Sequence, residues 1–220
     1  MTDFAALRRT MVDGQVRTAD VTDTRIQGAM LELPRERFFP EDKASLAYLD
    51  LDVPVSAPGR PLRRLLKPMV LAKLIQIAEV AESDRVLDVG CATGYGAAVL
   101  ARLAASVIGL EEDASLARQA EALTSTGMSG PRIVTGPLKE GWAGEGPYDV
   151  ILVEGSIEIV PPALFDQLKD GGRLVCMFGP GPAAKAMLYR RIEGELSGRP
   201  VFDAAAPPLP GFAKPLEFVF

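Results

Sequence analysis

From residue 85 onward the chain alternates short apolar runs with stretches of helical spacing. Residues 85–89, 106–110, 132–135, 148–153 and 173–178 are apolar nearly throughout and of strand length. Unbroken apolar runs of this kind suit strands covered on both faces. The stretches between them, 95–104, 113–127 and 161–169, repeat their apolar residues at helical intervals. This order predicts an α/β fold, a mostly parallel central sheet with helices on both faces. Past Gly181, residues 185–192 and 216–220 are expected as two more strands, joined by the Pro-rich 200–211.

The first part of the chain has another period. Phe4, Leu7, Met11 and Val12 predict a helix over 3–17, and Ile26, Met30 and Leu33 one over 23–33, which Pro34 stops. The six prolines of the stretch from Pro34 to Pro68 predict an irregular cover. Helix resumes at Pro68, a residue suited to a first turn, with Val70, Leu71, Leu74, Ile75 and Ala78 on one face. A helical and irregular N-terminal cover over 1–80 and an α/β core over 81–220 are therefore expected, as one compact unit.

Composition narrows the chemistry. At 220 residues and 48% hydrophobic, the chain can bury a core of its own. A net charge of -5 argues against nucleic acid held by the overall field. No apolar run reaches the roughly 20 residues that span a bilayer, so no membrane is expected. Cys91 and Cys176 lie in segments expected to be buried and make no disulfide framework, which fits a reducing cytoplasm. The absence of histidine excludes His-based triads, and two isolated cysteines make no zinc site, so no metal is expected.

The chemistry centres on Asp88-Val-Gly-Cys-Ala-Thr-Gly94. A glycine turn between a strand and a helix turns backbone N–H groups toward a polar ligand, and Glu111 closes the next strand at the spacing of a ribose-binding acid. The pair fits an adenosine ligand; alone, a tight turn and a surface glutamate would look the same. A nicotinamide dinucleotide is disfavoured, because Ala92 lies between Gly90 and Gly94 and Tyr95 stands where the last glycine of G-x-G-x-x-G belongs.

The run VLDVGCATGYGAAVLARL at 86–103 resembles the first motif of S-adenosylmethionine-dependent methyltransferases. More narrowly, residues 8–180 resemble the protein-L-isoaspartate O-methyltransferase family, through MVDGQVR at 11–17, LPRERFFPE at 33–41, AYLDLDVPV at 47–55, GLEED at 109–113, EGW at 140–142, PYDVILVEG at 147–155 and PPALFDQLKDGGRLV at 161–175. The resemblance implies a Rossmann-like methyltransferase fold, S-adenosyl-L-methionine as cofactor and a peptide or protein acceptor. It places Asp88, Gly90, Cys91, Ala92 and Gly94 on the methionine and ribose side of the cofactor, Glu111 on the ribose hydroxyls, and Gly136 with Pro137 at the adenine. Pro137 stands where the family has an aspartate, and it offers neither carboxylate nor N–H.

The acceptor segment also departs from the family. Where the family has a Q-T-I-S-Q-P-like stretch, this chain reads Arg63-Arg-Leu-Leu-Lys-Pro68, with Leu66 at the serine. No catalytic residue is assigned; Ser56 and Glu154 are candidates, each also readable as an ordinary surface group. Arg60, Arg63, Arg64, Lys67 and Lys73 fall in the acid-free stretch 53–78, which reads as a solvated face or as an altered entrance for an anionic acceptor. Tyr95 and Trp142 are expected either to pack on the adenosine or to close the core. The function implied is a methyltransferase with an altered acceptor site; the alternative is a non-catalytic or regulatory protein that still binds S-adenosylmethionine.

Overall fold

A computed structural model describes residues 2–125 and 130–214. The strand expected at 216–220 lies outside the described residues. Among the described residues, seven strands form the main sheet: β3 (Arg85–Val89), β4 (Ser106–Glu111), β5 (Arg132–Thr135), β6 (Tyr148–Ile157), β7 (Leu168–Phe178), β8 (Lys185–Ile192) and β9 (Glu195–Asp203), in the order β5-β4-β3-β6-β7-β8-β9. A two-stranded ribbon, β1 (Val53–Pro54) with β2 (Arg64–Leu65), stands apart. The pairings from β5 across to β7 are parallel, and β8 and β9 add antiparallel. This is the Rossmann-like methyltransferase architecture.

Alternate residues of each strand serve two hydrophobic clusters. Val86, Val107, Val150, Leu152 and Val175 face one layer, made by α1 (Phe4–Met11), α2 (Thr24–Glu32), α3 (Pro68–Ile77), α4 (Tyr95–Leu100) and α5 (Ala114–Thr124). Leu87, Val89, Ile108, Ile151 and Val153 face the other, covered by Leu164 of α6 (Pro162–Asp166), Leu138, Leu209 and Phe212. Burial on both sides explains why these strands read as unbroken apolar runs. The N-terminal cover packs into the first cluster through Met11, Val12, Val16, Ile26 and Met30.

Local caps set the helix starts. Asp3 accepts from the Ala6 N–H at 3.0 Å, Asp23 from the Arg25 N–H at 2.8 Å, and Asp113 from the Ser115 N–H at 2.7 Å.

Two sequence expectations change. The partner of β8 is Glu195–Asp203, reached through a two-residue turn in which Glu193 and Gly194 hold φ of 53° and 80°. Two left-handed residues match a hairpin's twist, and Pro200 is tolerated because β9 is an edge strand. Residues 200–203 of the Pro-rich segment thus belong to β9, and residues 204–212 return across the carboxyl end of β6. The helix expected to reach 169 stops at Asp166, and β7 begins at Leu168, paired with Tyr148.

Candidate functional site

The chain leaves β3 to build β4 and β5 on one side, then returns to build β6 on the other. A crevice therefore opens at the carboxyl ends of β3 and β6, where open parallel sheets bind ligands. The turn after β3 lies at its mouth. Gly90, Ala92 and Gly94 hold φ of 79°, 50° and 89°. Left-handed backbone at Ala92 costs about 1 kcal/mol, and the Ala92 N–H offsets it by donating to Glu111 Oε2 at 2.8 Å.

Glu111 is fully buried at the tip of β4. Its Oε1 accepts from the N–H groups of Glu112 and Asp113 at 3.0 and 3.1 Å, and its Oε2 also accepts from Arg63 Nη2 at 3.0 Å. Arg63 Nη2 donates as well to the Gly90 carbonyl at 2.7 Å. Asp88 is fully buried at the end of β3, and neither of its oxygens has a hydrogen-bond partner among the described residues. Glu154, on β6, is buried beside it with Oε1 unpartnered. Burial and the facing carboxyl lift Asp88 well above the usual carboxylate range, and burial pushes Glu154 up to about 7. Next to the turn, a cavity of about 380 Å³ is lined by Arg60, Arg63, Glu111, Asp113, Leu138 and Pro210 among others.

Comparison with known proteins places this geometry. Residues 8–206 match the family model described as protein-L-isoaspartate(D-aspartate) O-methyltransferase. The chain belongs to that family. It is 37% identical to the protein-L-isoaspartate O-methyltransferase of Koribacter versatilis, over 96% of this chain and 94% of that one. The protein of the same name from Methanoculleus marisnigri is 34% identical, over 93% and 91% of the two chains. A solved protein-L-isoaspartate O-methyltransferase is 26% identical with a TM-score of 0.81, covering 93% of this chain and 66% of that chain. A Plasmodium falciparum protein described as a beta-aspartate methyltransferase, in complex with S-adenosyl-L-homocysteine, shares the fold at 20% identity and a TM-score of 0.75, over 95% and 99% of the chains.

The structure gathers Asp88, Gly90, Ala92 and Glu111 at one crevice. Cys91 turns its thiol inward, where Sγ lies 3.2 Å from the position a Cβ on Gly109 would take, and burial pushes that thiol up, so only its backbone faces the turn. The open side of Gly94 is filled by α5, with Ala120 Cβ 3.0 Å from where a Cβ would sit. Gly136 donates its N–H to the Glu111 carbonyl at 3.2 Å, and Pro137 follows it at the start of a short helical turn that carries Leu138. Trp142 lies against Gly136, at 3.3 Å from its Cβ position. Tyr95 closes the core instead: its ring meets Phe38 edge-on at 5.3 Å, and the Arg35 guanidinium lies over it at 4.5 Å.

The basic side chains of the acid-free stretch diverge. Arg60 and the 5% exposed Arg63 line the cavity beside Glu111, Arg64 donates to the Asp52 carbonyl at 2.8 Å, and Lys73 lies over Phe202 at 4.6 Å. Ser56 Oγ accepts from the Arg63 N–H at 3.1 Å and so braces the ribbon. Leu66 is fully buried, its carbonyl accepting from Arg35 Nη2 at 2.7 Å.

Sequence reasoning missed three residues of the site. Arg63 was legible only as charge, Leu138 only as an apolar residue after Pro137, and Leu209 not at all. Leu209 Cδ1 lies 2.8 Å from the Cβ position of Gly90, with Arg63 Nη2 at 2.9 Å from the same point. Both side chains therefore lie over the glycine turn.

The residues present fit S-adenosylmethionine. Orphaned buried carboxyl oxygens at Asp88 and Glu154 suit a ligand carrying positive charge and N–H donors, and the adjoining cavity beside Glu111 suits a nucleoside.

Proposed function

We propose that the chain is an S-adenosylmethionine-dependent carboxyl O-methyltransferase that has kept its family's cofactor cradle and altered its acceptor side. One observation carries the first half: two buried carboxylates, Asp88 and Glu111, end adjacent parallel strands on either side of a turn with positive φ at residues 90, 92 and 94. When bound, S-adenosylmethionine supplies the methyl group on a sulfonium centre. Asp88 and the 90–94 turn would hold its methionine and ribose side, Glu111 would accept from the ribose hydroxyls in place of Arg63 Nη2 on its Oε2, and Gly136, Pro137 and Leu138 would border the adenine. A carboxylate acceptor is already an ionised nucleophile, so it needs no general base and positioning carries most of the rate.

The altered acceptor side is supported by Leu66. It buries an alkyl group at the family's serine position, and the half-buried Ser56 accepts from the Arg63 N–H. Leu66 offers no hydroxyl to a peptide carboxylate. Loss of one positioning contact costs about 100-fold in rate. Methyl ester formation on an isoaspartyl peptide, measured beside its normal aspartyl counterpart, is therefore expected to be weak, with partial recovery in Leu66→Ser. Robust wild-type turnover selective for the isoaspartyl peptide contradicts this and makes ordinary protein repair the function.

A second reading is a non-catalytic or regulatory S-adenosylmethionine-binding protein. It is favoured by Arg63 and Leu209 lying across the glycine turn. Cofactor binding without methyl transfer to any peptide or protein carboxylate would support it.

A further inference from the structure

Buried charge in the crevice does not balance. Asp88, Glu111 and Glu154 bring three carboxyl groups; Arg35 and Arg63 bring two guanidinium groups. Tyr95 and the Cys91 thiol, the other titratable groups around Asp88 and Glu154, are pushed up by burial and stay neutral. Arg35 already donates to the carbonyls of Ala47 and Leu66, at 2.8 and 2.7 Å, and Arg63 to Gly90 and Glu111. With every group ionised the cluster carries one uncompensated negative charge away from water, which is strongly unfavourable.

The excess lies at Asp88 and Glu154. Asp88 is in register with Leu152, so Glu154, two residues further, emerges on the same face one step nearer the crevice. There it presses on the first turn of α4, where a Cβ on Gly96 would lie 1.8 Å from Glu154 Oε1. Glycine at 96 is what admits the carboxylate. Both oxygens of Asp88 and Oε1 of Glu154 lack partners among the described residues.

We infer that Glu154 reads the charge of the cofactor, so that the site holds the cationic methyl donor in preference to its neutral demethylated product. The inference rests on the cofactor reading above. S-adenosylmethionine, with a sulfonium, an ammonium and a carboxylate, has a net charge of +1; the product has lost the sulfonium charge and is neutral. One monocation balances this cluster. Without it, the cluster is balanced by a proton shared between Asp88 and Glu154, in keeping with the upward displacement of both groups. Binding of the donor displaces that proton to solvent. After methyl transfer the cluster again carries one excess negative charge, takes a proton back, and loses its hold on the product.

Calorimetric titration at pH 7 tests this, in two buffers of different ionisation enthalpy. The ligands are S-adenosylmethionine, sinefungin, whose amine gives a cation at the methyl position, and S-adenosylhomocysteine. Wild type is expected to bind both cations about 10-fold or more tighter than the neutral product, about 1.4 kcal/mol, and to release up to one proton with the cations alone. Glu154→Gln should bring the affinities together and abolish proton release, leaving the neutral ligand's affinity nearly unchanged; Glu154→Asp should keep the preference. Wild-type ratio and proton count need no variant, so a poorly folded variant does not blunt the test. Equal affinity for all three ligands, or an unchanged ratio in folded Glu154→Gln, overturns this inference alone. No binding of any ligand to folded wild type overturns the cofactor reading and this inference with it.

Discussion

Leu209 lies where the cofactor's approach to Gly90 would pass, and its truncation should tighten cofactor binding while weakening the fold. Its side chain is 3% exposed, and the Cβ positions of Gly90 and Gly155 lie 2.8 and 3.1 Å from its atoms. The strap is tied to β6 by the Leu209 N–H to Ser156 carbonyl bond at 2.9 Å and the Ser156 N–H to Pro207 carbonyl bond at 2.8 Å. A ligand on Gly90 must move that side chain out, so its burial is subtracted from the binding energy. Alanine lacks three of the four side-chain carbons, worth about 2.4 kcal/mol at ~0.8 kcal/mol each, which bounds the gain at roughly 50-fold. Partial relaxation makes about 10-fold the expected tightening of S-adenosylmethionine in Leu209→Ala. Global stability should fall by about 2–3 kcal/mol for the same substitution. Titration calorimetry beside chemical unfolding reads both quantities, and their opposite signs separate a plug from a packing residue. Unchanged or weaker binding by folded Leu209→Ala would show that Leu209 stays in place and forms part of the cofactor's floor.

Gly96→Ala should cost at least ~2 kcal/mol of stability, because its Cβ falls 1.8 Å from Glu154 Oε1, and Glu154→Ala in the same chain should restore most of the loss; additive losses in a double-mutant cycle would refute the contact. Glu154 holds a proton in the folded state up to about pH 7 that it gives up near 4.5 when unfolded, so its contribution is fully present below that lower value and is lost as pH rises through 7. Unfolding free energy should accordingly fall across this window, and Glu154→Gln should flatten the profile; a wild-type profile that rises throughout, with no difference in the variant, would contradict the buried-acid account.

The legible parts of this protein are those fixed by local pattern. Near-continuous apolar runs at β3, β4 and β6 mark strands because both faces are covered, and Gly90 with Glu111 marks the crevice because the turn and the acid end neighbouring strands. Arg63 was legible as a charge but not as a cradle residue, since its direction depends on the β1–β2 ribbon, whose two-residue strands leave no periodicity. The hairpin before β9 was hidden because Glu193 is an uncommon residue for a left-handed turn position. The fit of Glu154 to Gly96 joins residues 58 positions apart and exists only once β6 lies beside β3. Leu209 was unreadable for the same reason: a leucine among prolines has no partner until the strap is laid over the crevice.

Calorimetric titration of S-adenosylmethionine into the folded wild type and into Glu111→Ala tests most directly whether Asp88, the 90–94 turn and Glu111 hold the cofactor. Saturable one-site binding is expected, weakened in Glu111→Ala by roughly 1–3 kcal/mol through loss of charge-assisted hydrogen bonds to the ribose. No heat at millimolar ligand, or an affinity indifferent to Glu111→Ala, would contradict the account.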